Sequence, residues 1–584
     1  MTAKKRAAGY ESIRQFFIKK NIMNAVGICI LVYALILIIK ICRTTFLGIA
    51  FPNEYREAAN IQLTMEFLKG SNPYSLSAYN GPVPGMIYVY GPLYSLFTAL
   101  LCLFIPADVV TMHYIVTFVS VIAGALICAY MTYEKTQYLA APAAVFLFII
   151  NCSWRYGYIN AVPDAFAVFI MIFVFFIVSR REFKFKDTIL AILSLMLFFV
   201  KQYFLVVSVS VIIFRFINDR KKAIRLTIQT LLISAAVFIT VAVTCPLYFT
   251  YTVFMAHGPF GMSEELFSEL YDYLEEENAE DEHYEEEAEK EEIKEKGTEK
   301  EEEAVLTNNS ENTDPVTGFS YEILQLKSLA GMFILVFFFA FAGIVTEAAG
   351  GFKHKGEIEF FLIIHMIIAF AALIYLGRND GAWLSYYLQL FMPAVIIYAF
   401  IISDRFIAEK ENVMGNILTV LFIVTVTFTA YRTGTRLKIY EKTDEQIKSW
   451  ERAYEITSNA AKKGEVYYVP PLGYCAFSDG QYLYNNGHNM VVNIQFLMEY
   501  NSTLWEQKLF PNAGMVINAH YDEQMKIKEK VKNREYELVT LIDGMDTDYD
   551  RLDIADLKKA GYSKTDDILL YSGRLSYDVQ FWSR

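Results

Sequence analysis

Long apolar runs separated by short polar or charged segments dominate the chain. Eleven of these runs are candidates for helices that cross a bilayer, since such a helix needs about 20 mostly apolar residues. They lie roughly at 22–42, 112–133, 137–152, 164–179, 187–200, 203–217, 223–248, 326–348, 359–377, 383–403 and 415–432. A twelfth run, 93–105, is shorter and follows Pro92. The pattern predicts a polytopic α-helical membrane protein, in keeping with 54% apolar residues and a mean hydropathy of +0.29.

The distribution of basic residues decides whether the twelfth run crosses the membrane. The first 20 residues contain six Lys or Arg, so the positive-inside rule places the N-terminus in the cytoplasm. The same rule places the basic loops at 179–187, 215–225 and 351–357 inside only if 93–105 does not cross. We therefore predict 11 spans, with 93–105 as an amphipathic or re-entrant helix at the outer interface. No cleavage-site pattern follows the first span, which we expect to be retained.

This topology predicts three regions. They are a cytoplasmic N-terminus at 1–21, a transmembrane domain at 22–434 and a small extracytoplasmic α/β domain at 435–584. The last region alternates strand-like runs such as "YELVTLID" and "DILLYSG" with helical ones. Within the transmembrane domain, 43–111 forms the first outer loop with juxtamembrane helices, and 262–315 forms an acidic outer insert of low complexity. The protein is expected to be a multi-pass protein of the plasma membrane.

The acidic insert accounts for the negative charge of the chain. Residues 264–303 contain 21 Asp or Glu and four Lys, a net charge of −17, so the rest of the chain is +5 although the total is −12. Mutually repelling charges in a segment of low complexity predict a solvated, mobile or partly helical surface loop without chemistry. Capture of a divalent cation is the alternative. The seven Cys are scattered and form no CxxC pair, which argues against a zinc site or a disulfide framework.

Several polar residues are predicted to lie within or close to the membrane, where ionisable groups are costly in free energy and usually have a function. They are Glu54 and Arg56 after the first span, Arg155 and Asp164 beside the third and fourth spans, Lys201 and Gln202 within "LMLFFVKQYFLVV", and Arg378 and Asp380 in "GRNDGAW". Any single charge can be read as one that reaches the headgroups from a span end. The predicted topology, however, puts all of these sites at one outer level. Together they supply carboxylates and cations for an anionic substrate and a proton transfer.

The segment 69–97, "KGSNPYSLSAYNGPVPGMIYVYGPLYSLF", is rich in Gly, Pro and Tyr. It is too rigid for a tether and too broken for a span. We interpret it as the part of the first outer loop that roofs the site. Aromatic rings offer stiff amphipathic walls for sugars, and we expect this role for Tyr74, Tyr88 and Tyr90, together with Trp154 and Tyr386. The alternative is that these rings only anchor the loop at headgroup depth.

The order of short motifs resembles the GT-C glycosyltransferase superfamily over about residues 20–435. The motifs are "NE" after the first span, "KGSNPYS", "YVYGPLYSL", "PDA", "KQYF" and "GRNDGAWLSYYLQL". The sequence is most similar to bacterial integral-membrane mannosyl- and arabinosyltransferase-like proteins. The resemblance implies a polyprenyl-phosphate sugar donor and a catalytic Asp or Glu in the first outer loop. Many members have Asp-Glu where this chain has Asn53-Glu54, so only one of the two carboxylates is present.

The predicted reaction moves a hexose or pentose from the lipid phosphate to a hydroxyl of a cell-envelope glycan or lipid-linked acceptor. A hydroxyl is a weak nucleophile and needs a general base, for which Glu54 is the candidate and Glu57 the substitute. Cations must stabilise the leaving phosphate, and the candidates are Lys201, Arg378 and, more weakly, Arg155. Gln202 would donate a hydrogen bond to the phosphate. Asp164 would orient a cation or the acceptor.

No cofactor, metal or nucleic acid is expected, because no metal-ligand cluster or nucleotide-sugar machinery is evident. Membrane lipids are the remaining expected partners. Two other classes stay open. A lipid or glycan transporter or flippase would also have many spans and intramembrane charges, but transporters tend to show internal repeats and helices broken at mid-membrane. A non-catalytic scaffold that presents residues 435–584 would leave Lys201, inside an apolar stretch, unexplained.

Overall fold

A computed structural model of the chain describes thirteen stretches and single residues. They are 3–46, 55–81, 84–155, 160–255, 318–351, 357–376, 386–408, 444–481, 508, 510–542, 552, 554–572 and 575–584. The predicted acidic insert at 262–315 and the predicted span at 415–432 lie outside the described residues.

The described part is mostly helical. Its membrane-region helices are α1 (Ala3–Phe46), α2 (Tyr55–Leu68), α3 (Leu93–Cys102), α4 (Val109–Thr136), α5 (Ala140–Arg155), α6 (Asp164–Ser179), α7 (Lys186–Val200), α8 (Leu205–Asn218), α9 (Arg220–Thr244), α10 (Gly318–Ala349), α11 (Ile358–Leu376) and α12 (Met392–Ala408). Short 3-10 turns cover Leu76–Tyr79 and Gln202–Phe204. Single π-helical segments cover Thr250–Met255 and Tyr387–Phe391.

Several helices expose apolar side chains as only a lipid-facing surface does. Three described stretches are long and apolar enough to cross a membrane, namely Lys20–Arg43, Val109–Thr136 and Arg220–Thr244. Leu232 and Val243 of α9 are 66% and 77% exposed, and Ile36 of α1 is 59% exposed. Contiguous exposed apolar surface of this extent would be unstable in water. The chain is an integral membrane protein.

Inside the bundle, small residues let the helices approach closely. A Cβ on Gly27 of α1 would come within 2.5 Å of the carbonyl carbon of Leu139, just before α5. Gly124 of α4 faces Ile172 of α6, and an added Cβ would lie 3.2 Å from Cδ1 of Ile172, a few tenths of an ångström closer than an ordinary contact. Such close packing is typical of helix contacts in membranes, where dispersion forces replace the hydrophobic effect between helices.

Ion pairs join the ends of α7, α8 and α9 on one side of the bundle. Asp187, at the start of α7, is buried and accepts hydrogen bonds from Arg225 at 2.9 Å and from Arg215 at 3.2 Å. The two basic loops predicted to lie on the same side, 179–187 and 215–225, therefore meet in one network. Buried charges need such partners because their desolvation is costly.

The C-terminal part contains a four-stranded sheet of strands β1 (Glu465–Tyr467), β2 (Tyr536–Ile542), β3 (Ser563–Ser572) and β4 (Leu575–Ser583) in the order β1-β2-β4-β3. β1 pairs with β2 in parallel, and the other pairs are antiparallel. Four helices accompany the sheet: α13 (Asp444–Ala461), α14 (Gly473–Ser478), α15 (Ala513–Lys532) and α16 (Ile554–Ala560).

The C-terminal part and the first loop share one hydrophobic cluster. Ile87 and Tyr88 of the loop belong to the same buried cluster as Val469, Val516 and Leu538 of the C-terminal part. The cluster also contains Leu247, Tyr248 and Tyr251, which follow α9. The loop is therefore packed between the helical bundle and the C-terminal sheet, and its shape depends on both.

Candidate active site

A break between two helices creates the centre of the candidate site. α7 ends at Val200, and Lys201 has an extended backbone with φ −155° and ψ 122°. A 3-10 turn at Gln202–Phe204 then leads into α8. The break falls within an apolar stretch, so Lys201 sits among helices that offer almost no water to a charged side chain.

Lys201 is ion-paired with Asp164, the first residue of α6. Its Nζ lies 2.8 Å from Oδ1 and 2.9 Å from Oδ2 of Asp164. The two side chains are 4% and 10% exposed, so the pair is buried. The side-chain amide of Gln389, in the π-helical segment Tyr387–Phe391, also donates a hydrogen bond to Oδ1. Asp164 is thus the counter-ion of Lys201, and its expected role, to orient a cation or the acceptor, stays a prediction.

Three tyrosine rings surround the Lys201 ammonium. Its Nζ lies 4.6 Å from the ring centroid of Tyr90, 5.3 Å from that of Tyr203 and 5.9 Å from that of Tyr386. Each distance is within the range at which the negative face of an aromatic ring attracts a cation. Tyr203 also donates a hydrogen bond to Gln389 Oε1. The cluster of Lys201, Asp164, Gln389 and the three rings is hereafter called the Lys201 site.

The glycine after Tyr90 brings the backbone of the first loop against the end of α7. A Cβ on Gly91 would lie 2.0 Å from the carbonyl oxygen of Phe199, on the last turn of α7. No side chain fits at that distance, so the backbone of the first loop rests directly on the backbone that leads into Lys201. This contact brings Tyr90 and Lys201 together although more than a hundred residues separate them.

Gln202 is bound within the structure. Its side-chain Nε2 donates a hydrogen bond of 2.9 Å to the carbonyl oxygen of Thr252, in the π-helical segment Thr250–Met255. This bond ties the helix break to the segment that follows α9. The role predicted for Gln202, donation to a donor phosphate, would require the amide to leave this carbonyl.

Glu57 lies apart from the Lys201 site, inside the packing of α2 on α4. Its side chain is fully buried, and Tyr114 donates a hydrogen bond of 3.0 Å to its Oε2. Tyr94 of α3 lies within electrostatic range of both Glu57 and Asp164. Nearby, Thr64 is 2.8 Å from Nε2 of the buried His113. A polar network thus runs between α2, α3 and α4 beside the Lys201 site.

Two of the predicted wall residues are packed inside the loop. Tyr74 and Tyr88 are 2% and 3% exposed, and their ring centroids are 6.1 Å apart. Tyr74 also contacts Tyr248 at 5.5 Å. Tyr90 and Tyr386, in contrast, line the Lys201 site. Of the four predicted rings whose side chains the structure describes, two therefore pack within the loop and two contact the buried lysine.

The remaining candidates cannot be placed. Glu54 and Arg378 lie outside the described residues. The backbone of Trp154 and Arg155 forms the C-terminal end of α5, whose side chains at these positions are also outside the described part.

Comparison with solved structures shows which fold this is. The structure of ArnT from Cupriavidus metallidurans bound to undecaprenyl phosphate matches with a TM-score of 0.52 and 11% identity, over 95% of this chain and 97% of that one. The apo state of the same protein gives the same values. This chain has the GT-C fold. The apo oligosaccharyltransferase of Archaeoglobus fulgidus is also similar, with a TM-score of 0.49 and 12% identity over 92% of this chain and 73% of that one.

The GT-C resemblance drawn from the order of short motifs is thereby confirmed at the level of the fold. No protein-family model matches the sequence, and comparison with curated proteins gives no significant match. The motifs "PDA", "KQYF" and "YVYGPLYSL" contain Asp164, Lys201 and Tyr90, and these three residues meet in the Lys201 site.

Gln389 and Tyr203 belong to the Lys201 site but were not among the predicted residues. Both had a signal in the sequence. Gln389 is an amide inside the apolar run 383–403, and Tyr203 stands two residues after Lys201. Intramembrane polar groups of this kind pair with one another, so an amide on a neighbouring span was a natural partner for Asp164.

The described residues of this GT-C fold contain no group of three or more His, Cys, Asp or Glu side chains arranged to hold a metal ion.

Proposed function

We propose that this protein is an integral-membrane glycosyltransferase. It would move a sugar, hexose or pentose, from a polyprenyl-phosphate donor to a hydroxyl of a cell-envelope acceptor on the outer face of the membrane. Two findings support the proposal. The chain has the fold of ArnT, which has been solved with undecaprenyl phosphate, and a buried lysine lies at a helix break of that fold.

The Lys201 site is the observation that carries the proposal. A lysine that is 4% exposed among membrane helices is costly to maintain, and packing alone gives no reason for it. Asp164 and the tyrosine faces hold the ammonium in place without an exogenous ligand. A phosphate of the donor can then replace one carboxylate hydrogen bond with another charge-assisted bond. The rings of Tyr90 and Tyr386 would flank the sugar that the phosphate carries.

In the proposed reaction, one bond to the anomeric carbon of the donor sugar forms and one breaks. The acceptor oxygen attacks the anomeric carbon of the donor sugar and forms the new glycosidic bond. The bond between that carbon and the phosphate oxygen breaks, and its electron pair leaves with the polyprenyl phosphate. Lys201, with Arg378 and Arg155 as further candidates, stabilises the charge that develops on the phosphate. Glu54 is proposed to take the proton of the acceptor hydroxyl, with Glu57 as the substitute.

The proposal includes a topology of 11 spans, with residues 435–584 outside the cytoplasm. It rests on the positive-inside rule, and it is supported by the contact of the first loop with the C-terminal part. Single cysteines at the exposed position 559 and at an exposed position of the loop 179–187 should respond oppositely to a membrane-impermeant thiol reagent on intact cells. Labelling is expected at 559 and protection in the loop. The reverse result would place the Lys201 site on the cytoplasmic side and contradict the proposed reaction.

Lys201→Ala is expected to weaken the binding of undecaprenyl phosphate. A hydrogen bond to a charged group contributes about 1.5–3 kcal/mol, which corresponds to roughly a 10- to 150-fold loss of affinity. The affinity would be measured by titration of the full chain in nanodiscs. Since the single change leaves Asp164 uncompensated, the pair Lys201→Ala with Asp164→Asn should be measured beside it.

Lys135→Ala is the matched control. Lys135 is also ion-paired, at 3.0 Å from Glu359, but it lies near the C-terminal end of α4 and away from the Lys201 site. Its variant should bind the lipid phosphate as the unchanged protein does. Equal affinity of the Lys201 variants and the control would remove Lys201 from the donor site. Absence of binding by the unchanged protein would contradict the glycosyltransferase proposal itself and favour a transporter.

A further inference from the structure

We propose that His520, in the C-terminal part, is a positioning residue that holds Tyr90 of the first loop over Lys201. The inference rests on the proposed function, because it gives the C-terminal part a task in donor binding. It also names a residue more than 300 positions from Lys201, in a region for which the motif order implied no role.

His520 lies where α15 meets the first loop. Its Nε2 is 3.2 Å from the hydroxyl of Tyr79, and the two rings meet edge to face with centroids 5.9 Å apart. Tyr79 also donates a hydrogen bond of 3.5 Å to the carbonyl oxygen of Gly85. Tyr79 in turn accepts a hydrogen bond of 2.9 Å from the hydroxyl of Tyr251, in the π-helical segment after α9. The histidine therefore joins the C-terminal part to the loop and, through Tyr79, to the bundle.

The imidazole is neutral in this position. Its side chain is buried, and desolvation lowers the pKa of His520 to about 4. At neutral pH the ring therefore has one N–H donor and one acceptor nitrogen. Depending on the tautomer, Nε2 then donates to or accepts from the hydroxyl of Tyr79. A charged histidine would have no acceptor and would carry an uncompensated charge into an apolar cluster.

The loop segment from Gly85 to Gly91 is fixed at both ends. At the first end, the Gly85 carbonyl accepts a hydrogen bond from Tyr79, which His520 contacts, and an added Cβ on Gly85 would lie 2.8 Å from the Cβ of Ala78. At the other end, Gly91 rests on the carbonyl of Phe199. Ile87 and Tyr88 are buried between these points. Tyr90 lies one residue before the second end, so its ring position depends on how firmly the first end is held.

Loss of the anchoring at Gly85 should displace the ring of Tyr90 more than the ammonium of Lys201. Lys201 is held by Asp164, on a helix that His520 does not contact in the described part of the chain. Tyr90, by contrast, belongs to the segment 85–91. Loss of the contacts of His520 with Tyr79 would let this segment move and weaken the contact between the Tyr90 ring and the ammonium. The expected effect is reduced affinity for a lipid phosphate with the lysine still in place.

The test compares His520→Phe with His520→Gln in the full chain in nanodiscs. Phenylalanine fills the ring volume without hydrogen bonds, whereas the glutamine amide can still both donate and accept. Hydrogen exchange of residues 84–91 should rise in the Phe variant and return toward normal in the Gln variant. Affinity for undecaprenyl phosphate should fall about fivefold or more in the Phe variant, in line with loss of a desolvated cation–π contact.

A double-variant cycle decides whether the effect passes through Tyr90. If it does, His520→Phe should reduce affinity little further in a Tyr90→Ala background. Ile527→Val, on the same helix but in the separate cluster against the C-terminal sheet, is the control and should alter neither exchange at 84–91 nor affinity. Fully additive losses would overturn the route through Tyr90.

The outcomes separate this inference from the proposed function. Unchanged exchange at 84–91 in His520→Phe would overturn the positioning role, even if the unchanged protein binds undecaprenyl phosphate well. Absence of lipid-phosphate binding by the unchanged protein would overturn the role in donor binding together with the proposed function. Raised exchange in that case would identify His520 as a structural tie of the loop only.

Discussion

Glu54→Gln is expected to reduce the rate of sugar transfer by about 10²–10⁴-fold, the usual effect of losing a general base. Glutamine keeps the size and the hydrogen-bonding reach of the side chain but cannot take the proton of the acceptor hydroxyl. Affinity for undecaprenyl phosphate should stay near its normal value, because the phosphate is assigned to Lys201. Turnover of a polyprenyl-phosphate sugar and binding of the lipid phosphate would both be measured in nanodiscs.

Glu57→Gln is the matched control for this change. Glu57 is three residues further along and is buried against Tyr114. A neutral amide can accept the same hydrogen bond from Tyr114, so we expect turnover to change far less than in Glu54→Gln. Near-normal turnover by Glu54→Gln together with a large loss in Glu57→Gln would exchange the two assignments. Normal turnover by both variants would exclude a base in this segment.

Asp164→Ala is expected to destabilise the protein by about 3–5 kcal/mol, since it leaves the buried Lys201 ammonium without its counter-ion. The cause is the uncompensated charge rather than the lost pair energy. The double replacement Asp164→Leu with Lys201→Met removes both charges at similar volume and should recover most of this stability. Reversible unfolding in detergent, followed by the accessibility of buried cysteines, would compare the three proteins.

The double replacement also separates stability from function. It should fold as well as the unchanged protein and yet fail to bind undecaprenyl phosphate, because the cation is gone. If Asp164→Ala unfolds no more readily than the unchanged protein, the pair is not the buried, mutually dependent unit that its distances indicate. If the double replacement still binds the lipid phosphate, Lys201 is not its ligand.

Apolar runs bounded by charges or Pro gave good helix limits. The run at 164–179 matches α6, and 187–200 differs from α7 by one residue. Hydropathy failed where a helix continues beyond its apolar part. α1 begins at Ala3 rather than near 22, because the basic N-terminal residues are good helix formers even though they are not apolar. Neither π-helical segment had a recognisable signal in the sequence.

The sequence predicted the depth of the site residues along their spans but not the direction in which each side chain points. Loop charges and span limits placed Asp164, Lys201 and Gln202 at one level, yet a level does not say which way each helix face turns. For that reason the Asp164–Lys201 pair and the bond from Gln202 to the Thr252 carbonyl became visible only in the fold. The tyrosines show the same limit. Tyr88 and Tyr90 stand in one segment, and only their folded neighbours separate packing from contact with the lysine.

Helix α9 has a practical consequence for experiments on this protein. Only 6% of its most apolar stretch is buried, and its length of 25 residues corresponds to about 37 Å, longer than the ~30 Å hydrocarbon core. Its ends are tied, to Asp187 through Arg225 and to Asn72 through the Thr244 carbonyl. A helix longer than the hydrocarbon core tilts, kinks or thickens the bilayer around it, so a change in bilayer thickness is expected to act through Asn72 on the loop beside Tyr74. Micelles and bilayers of different lipids are not interchangeable media for experiments on this protein.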